Sequence, residues 1–302
     1  MFHIIEKEME WRHNRGLAPG FEALMASKPL MAVGAEEPLT GEKMLADYFH
    51  GKDGLGNVHT SHPHLTPAQG WESLFSPLPA SVEELEAAAR RHSSFIASTK
   101  PAYEEMLRLL RENDPGTITI IALGPLTNLA LAAAEDPETF LRVKEVVVMG
   151  GAVDCPGNSR DRIASTVPTR SPLVEWTSAI LEHSFAKLDA MHPGHEGDMA
   201  ALSLHDPVCI WYALLPDSWQ WMLSLDSPLD LRVETTGQWT RGMCVVDRRN
   251  RKRRDHDDPD VEDNGLWLAN RSGNRVDWVV GTPGPDMFAG YVMDRLFVKH
   301  QN

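Results

Sequence analysis

The sequence has few cysteines, no long apolar run and no excess of positive charge. Its 302 residues contain three cysteines, Cys155, Cys209 and Cys244, which are too few and too scattered for a disulfide framework or a zinc site. We therefore expect reduced thiols. No apolar stretch approaches the roughly 20 residues of a membrane span. The segment "MFHIIEKEMEWRHNRG" has glutamates where a secretory signal needs an apolar core, so we expect a soluble, cytoplasmic protein.

The charge balance is acidic, with a formal net charge of -14. This argues against nucleic acid or an anionic membrane surface as the main partner, because binding phosphate needs a clustered positive field. A basic block runs into an acidic one in "RRNRKRRDHDDPDVEDN", within residues 248–265. A nucleic-acid or localisation patch is one interpretation of it. Because the two blocks nearly cancel, we expect a solvated, charged hairpin extension.

What is present is an ordinary globular composition, 42% hydrophobic and 24% charged, with a clear strand–helix–strand unit. The apolar run "TITIIALG" is followed by the alanine-rich "PLTNLALAAAED" and by "VKEVVVMGG". This order predicts a βαβ unit with Pro125 at the first turn of the helix, and hence an α/β fold with a Rossmann-like, mostly parallel sheet flanked by helices. A ligand crevice is expected at the strand ends, at residues 124–128 and 149–158.

The remaining patterns favour one domain over residues 1–302, with an irregular segment at 159–173. Helical spacing occurs near the N-terminus in "FHIIEKEMEW" and later in "AYEEMLRLLREN" and "VEWTSAILEHSFAKL", and "SVEELEAAARRHSSFIA" opens with a serine cap. Two strands joined by a turn are predicted in "LDLRVETTGQWTRGMCVVD", and a last strand and helix in "NRVDWVVGTPGPDMFAGYVMDRLF".

One short stretch, "ALSLHDPVCIWYAL", places His205 and Asp206 side by side before an apolar run. Aspartate is a favoured N-cap and proline is favoured at the first helical position, so Asp206 and Pro207 fit an ordinary helix start. The helix would then pack an apolar face against the core; that face comprises Val208, Ile210, Trp211 and Leu214. An active-site pair is the alternative interpretation.

Four stretches occur in the order found in one enzyme family: "FHGKDGLGN", "IIALGPLTNLALA", "VVVMGGA" followed by "PGN", and "LSLHDPVCIWY". In these motifs the chain resembles the inosine/uridine-preferring nucleoside hydrolases, especially their fungal-type members. The resemblance implies the nucleoside hydrolase fold and hydrolysis of the N-glycosidic bond of a ribonucleoside, giving ribose and a free base. It also implies a calcium ion that binds both the attacking water and the ribose diol.

The resemblance also implies roles for single residues. Asp206 would bind calcium, and His205 would protonate the leaving base. Thr127 would offer its main-chain carbonyl to the ion, although helix-start geometry explains this residue equally well. Asn158 would bond the ribose, with a turn residue as a serious alternative, and Met149 would line the sugar site.

The "HGKDGLG" loop corresponds to the family's mobile loop over the base, and it contains His50 and Asp53. The resemblance makes His50 a substrate-binding candidate. An ordinary glycine-rich loop with no substrate role is an equally good interpretation of both residues.

Two family segments are missing from the sequence: the aspartate-rich "DxDPGxDD", which supplies most calcium ligands, and the ribose-binding "EFN". Asp206 is then the one matched side-chain carboxylate, against the six to eight oxygens that calcium normally takes. We expect an N-terminally incomplete fold with little or no activity, through either a gene-model error or a degenerate paralogue. A non-catalytic nucleoside-binding or scaffold protein is the alternative. The expected partner is a ribonucleoside, with neither nucleic acid nor membrane, and a homo-oligomer stays open.

Overall fold

The computed structural model describes residues 1–43, 47–67, 71–76, 94–150, 153, 171–191, 205–215, 220–238, 240–255, 263 and 265–296. The chain divides into two compact units. The first comprises Met1–Val146, Arg162–Leu202 and Met293–Asn302, and the second comprises Val147–Asp161 and Ser203–Val292. The prediction of a single domain over 1–302 stays a prediction.

The described chain contains α-helices, short strands and two 3-10 helices, Pro63–Leu65 and Trp71–Phe75. The helices are α1 (Phe2–His13), α2 (Glu22–Ser27), α3 (Asp47–His50), α4 (Val58–Ser61), α5 (Ala102–Glu112), α6 (Thr127–Glu135), α7 (Pro137–Phe140), α8 (Pro172–Met191), α9 (His205–Leu214) and α10 (Pro285–Leu296). The strands are β1 (Leu30–Met31), β2 (Ile96–Ala97), β3 (Thr119–Ala122), β4 (Glu145–Val148), β5 (Met222–Leu223), β6 (Leu231–Val233), β7 (Cys244–Val246) and β8 (Val279–Gly281).

The described strands form four two-stranded sheets. In the first unit β1 pairs in parallel with β2. Strand β3 is the neighbour of β4, to which α6 and α7 connect it. In the second unit β5 pairs antiparallel with β8, and β6 pairs antiparallel with β7. The α/β class and the β3–α6–β4 unit are therefore confirmed, and so are the β6–β7 hairpin and the final strand and helix.

The first unit is organised by the packing of α1 against α8. Ile4, Leu65 and Leu173 form a buried apolar cluster there, with Phe21 and Trp176 packed against it. Apolar positions of α1 and α8 thus remove their surface from water, which is the main stabilising contribution to such a helix pair.

A buried carboxylate joins these two helices. Glu8 of α1, 1% exposed, accepts hydrogen bonds from Arg12 Nε at 2.9 Å and from the backbone N–H of Leu173 at 3.2 Å. The first N–H groups of a helix have no partner inside it, so Glu8 satisfies one of them at the start of α8.

Several sequence-based boundaries need correction. Ile96 and Ala97 belong to β2, although the sequence pattern assigns them to the end of a helix whose residues 81–93 lie outside the described part. The hydrogen bond from Ile96 N–H to the carbonyl of Pro29 shows why: pairing with β1 decides the conformation there. Pro172 and Leu173 begin α8, so the irregular segment predicted at 159–173 is two residues too long at its end, and 159–170 are not described.

Candidate functional site

A glycine-rich loop follows α3 in the first unit, and Asp53 organises it. Asp53 Oδ1 accepts the backbone N–H groups of Leu55 at 2.9 Å and Asn57 at 2.8 Å, and Oδ2 accepts that of His59 at 3.0 Å. Burial acts to raise the pKa of the Asp53 carboxyl, but the three N–H groups outweigh it and hold this pKa below the ordinary value. These contacts support the structural interpretation of Asp53.

His50 is the last residue of α3 and is exposed. Its backbone carbonyl accepts the N–H of Gly56 at 2.8 Å, which closes the loop back onto α3. Its ring meets the ring of Phe49 edge to face, with centroids 5.1 Å apart. The imidazole is therefore accessible from a fixed backbone position.

Thr127 begins α6, and its side chain is half-buried. The next residue, Asn128, accepts the backbone N–H of Ala35 on Oδ1 at 2.9 Å. A Cβ at Gly34 would lie 2.7 Å from Asn128 Nδ2, so this approach needs glycine. The sequence analysis did not identify Asn128, which ties the segment after β1 to the start of α6. Both interpretations of Thr127 stay open.

His205 and Asp206 are neighbours in the first turn of α9 in the second unit, and both are exposed. The helix begins at His205 itself, so the prediction of Asp206 as N-cap and Pro207 as first helical residue is wrong. Both residues still suit the first turn. The N–H that proline lacks has no partner there, and the positive end of the helix dipole favours a carboxylate.

Only part of the predicted apolar face of α9 is buried. Trp211 is 6% exposed, whereas Ile210 and Leu214 are 40% and 68% exposed. Trp211 stacks on Phe288 and meets Trp221 edge to face, each with ring centroids 5.1 Å apart. These aromatic contacts fix the helix that carries His205 and Asp206.

Two cysteines are described, and both are free thiols: Cys209 in α9 and Cys244 in β7. Burial, followed by the negative charge of Asp206, raises the pKa of the Cys209 thiol. A raised pKa disfavours the thiolate form of Cys209, which is the reactive form. Cys155 lies outside the described residues.

The other site residues are distributed between the units. Met149 follows β4 and is half-buried, and Asn158 lies outside the described residues. His50 and Thr127 belong to the first unit, whereas Met149, His205 and Asp206 belong to the second. The structure brings His205 and Asp206 together on one helix turn.

The arginine-rich block of the second unit is held by carboxylates of the same unit. Arg249 and Arg251 bind Asp247, at 2.7 and 3.4 Å, and Arg251 also lies 3.6 Å from Asp263. The guanidinium groups hold the pKa of Asp247 far below its ordinary value. Arg249 and Arg251 therefore form ion pairs with carboxylates of their own unit. Residues 256–262 and 264 of the predicted 248–265 extension are not described.

The side chains in the described part of the chain do not assemble a calcium site. Within the described ranges, no three His, Cys, Asp or Glu side chains lie close enough together to hold a metal ion. Asp206 and the Thr127 carbonyl alone do not fit an ion that takes six to eight oxygens. We therefore derive no catalytic step through calcium.

Comparison with known proteins identifies nucleoside hydrolases that are similar to this chain. The sequence model described as inosine-uridine preferring nucleoside hydrolase matches residues 21–166. The nucleoside hydrolase of that name from Crithidia fasciculata is 28% identical over 254 residues, covering 73% of this chain and 70% of the relative. The chain is thus similar to the inosine-uridine preferring nucleoside hydrolases, through residues 21–166 for the sequence model.

Other nucleoside hydrolases are also similar to this chain in sequence or in fold. A probable uridine nucleosidase of rice is 38% identical over 129 residues, which cover 42% of this chain. The chain spans only 30% of the length of that relative. The solved structure of a plant nucleoside hydrolase superposes with a TM-score of 0.59 at 20% identity, covering 89% of this chain and 80% of the other. That likeness shows the nucleoside hydrolase fold.

No helix among the described residues is both long and apolar enough to cross a membrane.

Proposed function

We propose that this chain cleaves the N-glycosidic bond of ribonucleosides with water. Its similarity to nucleoside hydrolases supports the reaction class. The observation that carries the proposal for this chain is the exposed pair of His205 and Asp206 on the first turn of α9. A proton donor and a carboxylate are there open to a ligand, on a helix anchored by the buried Trp211.

The reaction needs two things from the protein. The water oxygen bonds to the anomeric carbon of the ribose as the bond to the base nitrogen breaks, and the bonding electrons leave with the base. The base must gain a proton, for which His205 is the proposed donor. The attacking water releases one of its protons to the solvent, from which His205 is reprotonated. The ribose develops positive charge in the transition state, which the Asp206 carboxylate would stabilise.

The remaining assignments are proposals as well. Met149 and Asn158 would line the ribose, and His50 would bind the nucleoside. Asp206 and the Thr127 carbonyl are each predicted as calcium ligands; because they do not by themselves fit that ion, no calcium-assisted step is proposed. Because Asp206 is the one carboxylate matched to a calcium site, we propose that turnover is slow.

Ribose release from inosine and uridine tests this function, with His205→Gln beside the unchanged chain. We expect slow release that falls by about a hundredfold in the variant, the lower end of what a general acid contributes. His13→Gln is the matched control, because His13 is an exposed histidine near the end of α1. Equal rates in all three proteins would refute the role of His205.

A nucleoside-binding homologue without activity is the second candidate, because the exposed His205–Asp206 pair could bind a nucleoside without cleaving it. Calorimetry with ribose, inosine and uridine separates the two candidates. Binding without any ribose release would support the binding protein, whereas slow release supports the hydrolase.

We also propose a cytoplasmic location, supported by the free thiols of Cys209 and Cys244. Fractionation with an antibody tests it, and recovery outside the cytoplasm would contradict it. A homo-oligomer is a further proposal, which light scattering on the eluted protein decides.

A further inference from the structure

Hydrogen bonds between residues of the segment from His50 to Asn57 restrain this segment. Besides the three N–H groups held by Asp53, Lys52 donates its N–H to Asn57 Oδ1 at 2.9 Å. Gly56 N–H binds the carbonyl of His50 at 2.8 Å. The loop is thus bound to itself across its whole length.

Two glycines allow this closure. Gly51 has φ +75°, and a Cβ there would lie 2.8 Å from the backbone nitrogen of Asn57. Gly56 has φ +73°, and a Cβ there would lie 2.9 Å from Cβ of His183. Both positions combine a left-handed backbone with a close approach, which glycine alone accepts without strain.

Helix α8 supports the loop from outside. His183 Nε2 donates to the carbonyl of Phe49 at 3.2 Å, and the His183 side chain packs against Gly56. Both ends of the loop are therefore held against a 20-residue helix. The loop is preformed, and His50 is presented from its start.

We propose that Asp53 is a positioning residue, which fixes the 50–57 loop through its three backbone hydrogen bonds and thereby places the His50 imidazole for the nucleoside. This inference rests on the proposed function of the site. It assigns Asp53 no contact with the substrate: its carboxylate is occupied by Leu55, Asn57 and His59, so it acts through the backbone.

Amide hydrogen exchange of the full chain tests the restraint without any activity measurement. Asp53→Ala should speed exchange at Leu55, Asn57 and His59 by about tenfold or more, because each loses a bond to a charged acceptor. Asp53→Asn keeps one oxygen, which can still serve Leu55 and Asn57 on the Oδ1 side. Its new NH2 group faces the N–H of His59, so only His59 should exchange faster.

Asp114→Asn is the matched control, since Asp114 is an exposed aspartate of the same unit. It should leave all three amides unchanged. Unchanged exchange in both Asp53 variants would overturn the restraint. Amides of α5 in the same spectra show whether a variant is folded. If Asp53→Ala does not fold, Asp53→Asn provides the test, because it keeps the shape of the side chain.

Uridine titrations test the positioning role through a double-mutant cycle. Asp53→Ala and His50→Ala should each weaken uridine binding, and the double variant should be no weaker than His50→Ala alone, because Asp53 acts through His50. Additive losses would overturn positioning. If the unchanged chain does not bind uridine, the proposed function and the positioning role both fail, while the exchange pattern still decides the restraint.

Discussion

Single residues of this chain show clearly where a sequence motif identifies chemistry and where it does not. His205 and Asp206 were found by motif, and the structure places them exposed on one helix turn. Asp53 and Asn128 act through hydrogen bonds to backbone groups. The Asp-Gly and Gly-Asn steps of "HGKDGLGN" do signal a turn. The contact of Asn128 with Ala35, 93 residues away, has no local signal and needs the folded chain.

Trp211 is the residue on which α9 depends most. Replacing it with alanine should lower the free energy of unfolding by about 3–5 kcal/mol, because a buried aromatic side chain leaves a cavity. Urea unfolding followed by circular dichroism measures the loss. Ile210→Ala, one position away and 40% exposed, should have a much smaller effect. Equal effects of the two substitutions would contradict the packing described for Trp211.

At the scale of elements, long apolar or strongly periodic segments could be predicted and short ones could not. The apolar runs of β3 and β4 and the helix between them follow from composition alone. The two-residue strands β1 and β2 do not, because their conformation is set by pairing with each other. The start of α9 was misplaced by two residues, since Asp-Pro fits both a cap and a first turn.

The α1–α8 pair should depend on Glu8. Glu8→Ala leaves Arg12 and the N–H of Leu173 without their buried acceptor. We expect a loss of about 2 kcal/mol or more in the free energy of unfolding. Glu10→Ala on the exposed side of the same helix is the control. Thermal or urea unfolding measures both variants. A loss of unfolding free energy in Glu10→Ala as large as that in Glu8→Ala would refute the stabilising role of the buried contact.

The N-terminus of α7 gives a pH-dependent prediction. Asp136 accepts the hydroxyl of Thr139, a guanidinium N–H of Arg111 and the backbone N–H of Thr139, which together lower the pKa of its carboxyl to about 2. A carboxyl whose pKa is lower in the folded state than in the unfolded state stabilises the folded state. This stabilisation is complete at pH values above the unfolded pKa and is lost as the pH falls through the folded pKa.

Asp136→Asn should therefore lower the unfolding temperature at pH 7. The difference from the unchanged chain should persist down to about pH 4 and shrink as the pH falls towards 2. Thermal unfolding across that range measures it. A difference that grows on acidification would contradict the assigned hydrogen bonds, and Asp114→Asn should show no such dependence.

At the scale of the whole molecule, the family and its fold were predicted from four motifs, and the division into two compact units was not. Motifs report local stretches, whereas the division depends on which distant segments contact one another. The motifs likewise do not report that His50 and Thr127 belong to one unit and His205 and Asp206 to the other.

The charge distribution predicts no affinity for nucleic acid. The net charge is -14, and Arg249 and Arg251 are paired with carboxylates of their own unit. A fluorescence anisotropy titration with duplex DNA at physiological salt should show no binding. Tight binding that weakens steeply with added salt would show that the arginine block is available to phosphates.

The central claim is that this chain hydrolyses ribonucleosides slowly through the His205–Asp206 end of α9. Ribose release from uridine, followed over a long incubation for the unchanged chain and for Asp206→Asn, tests it most directly. The account predicts slow release that is lost in the variant. Rapid release, or release that is the same in both proteins, would contradict it.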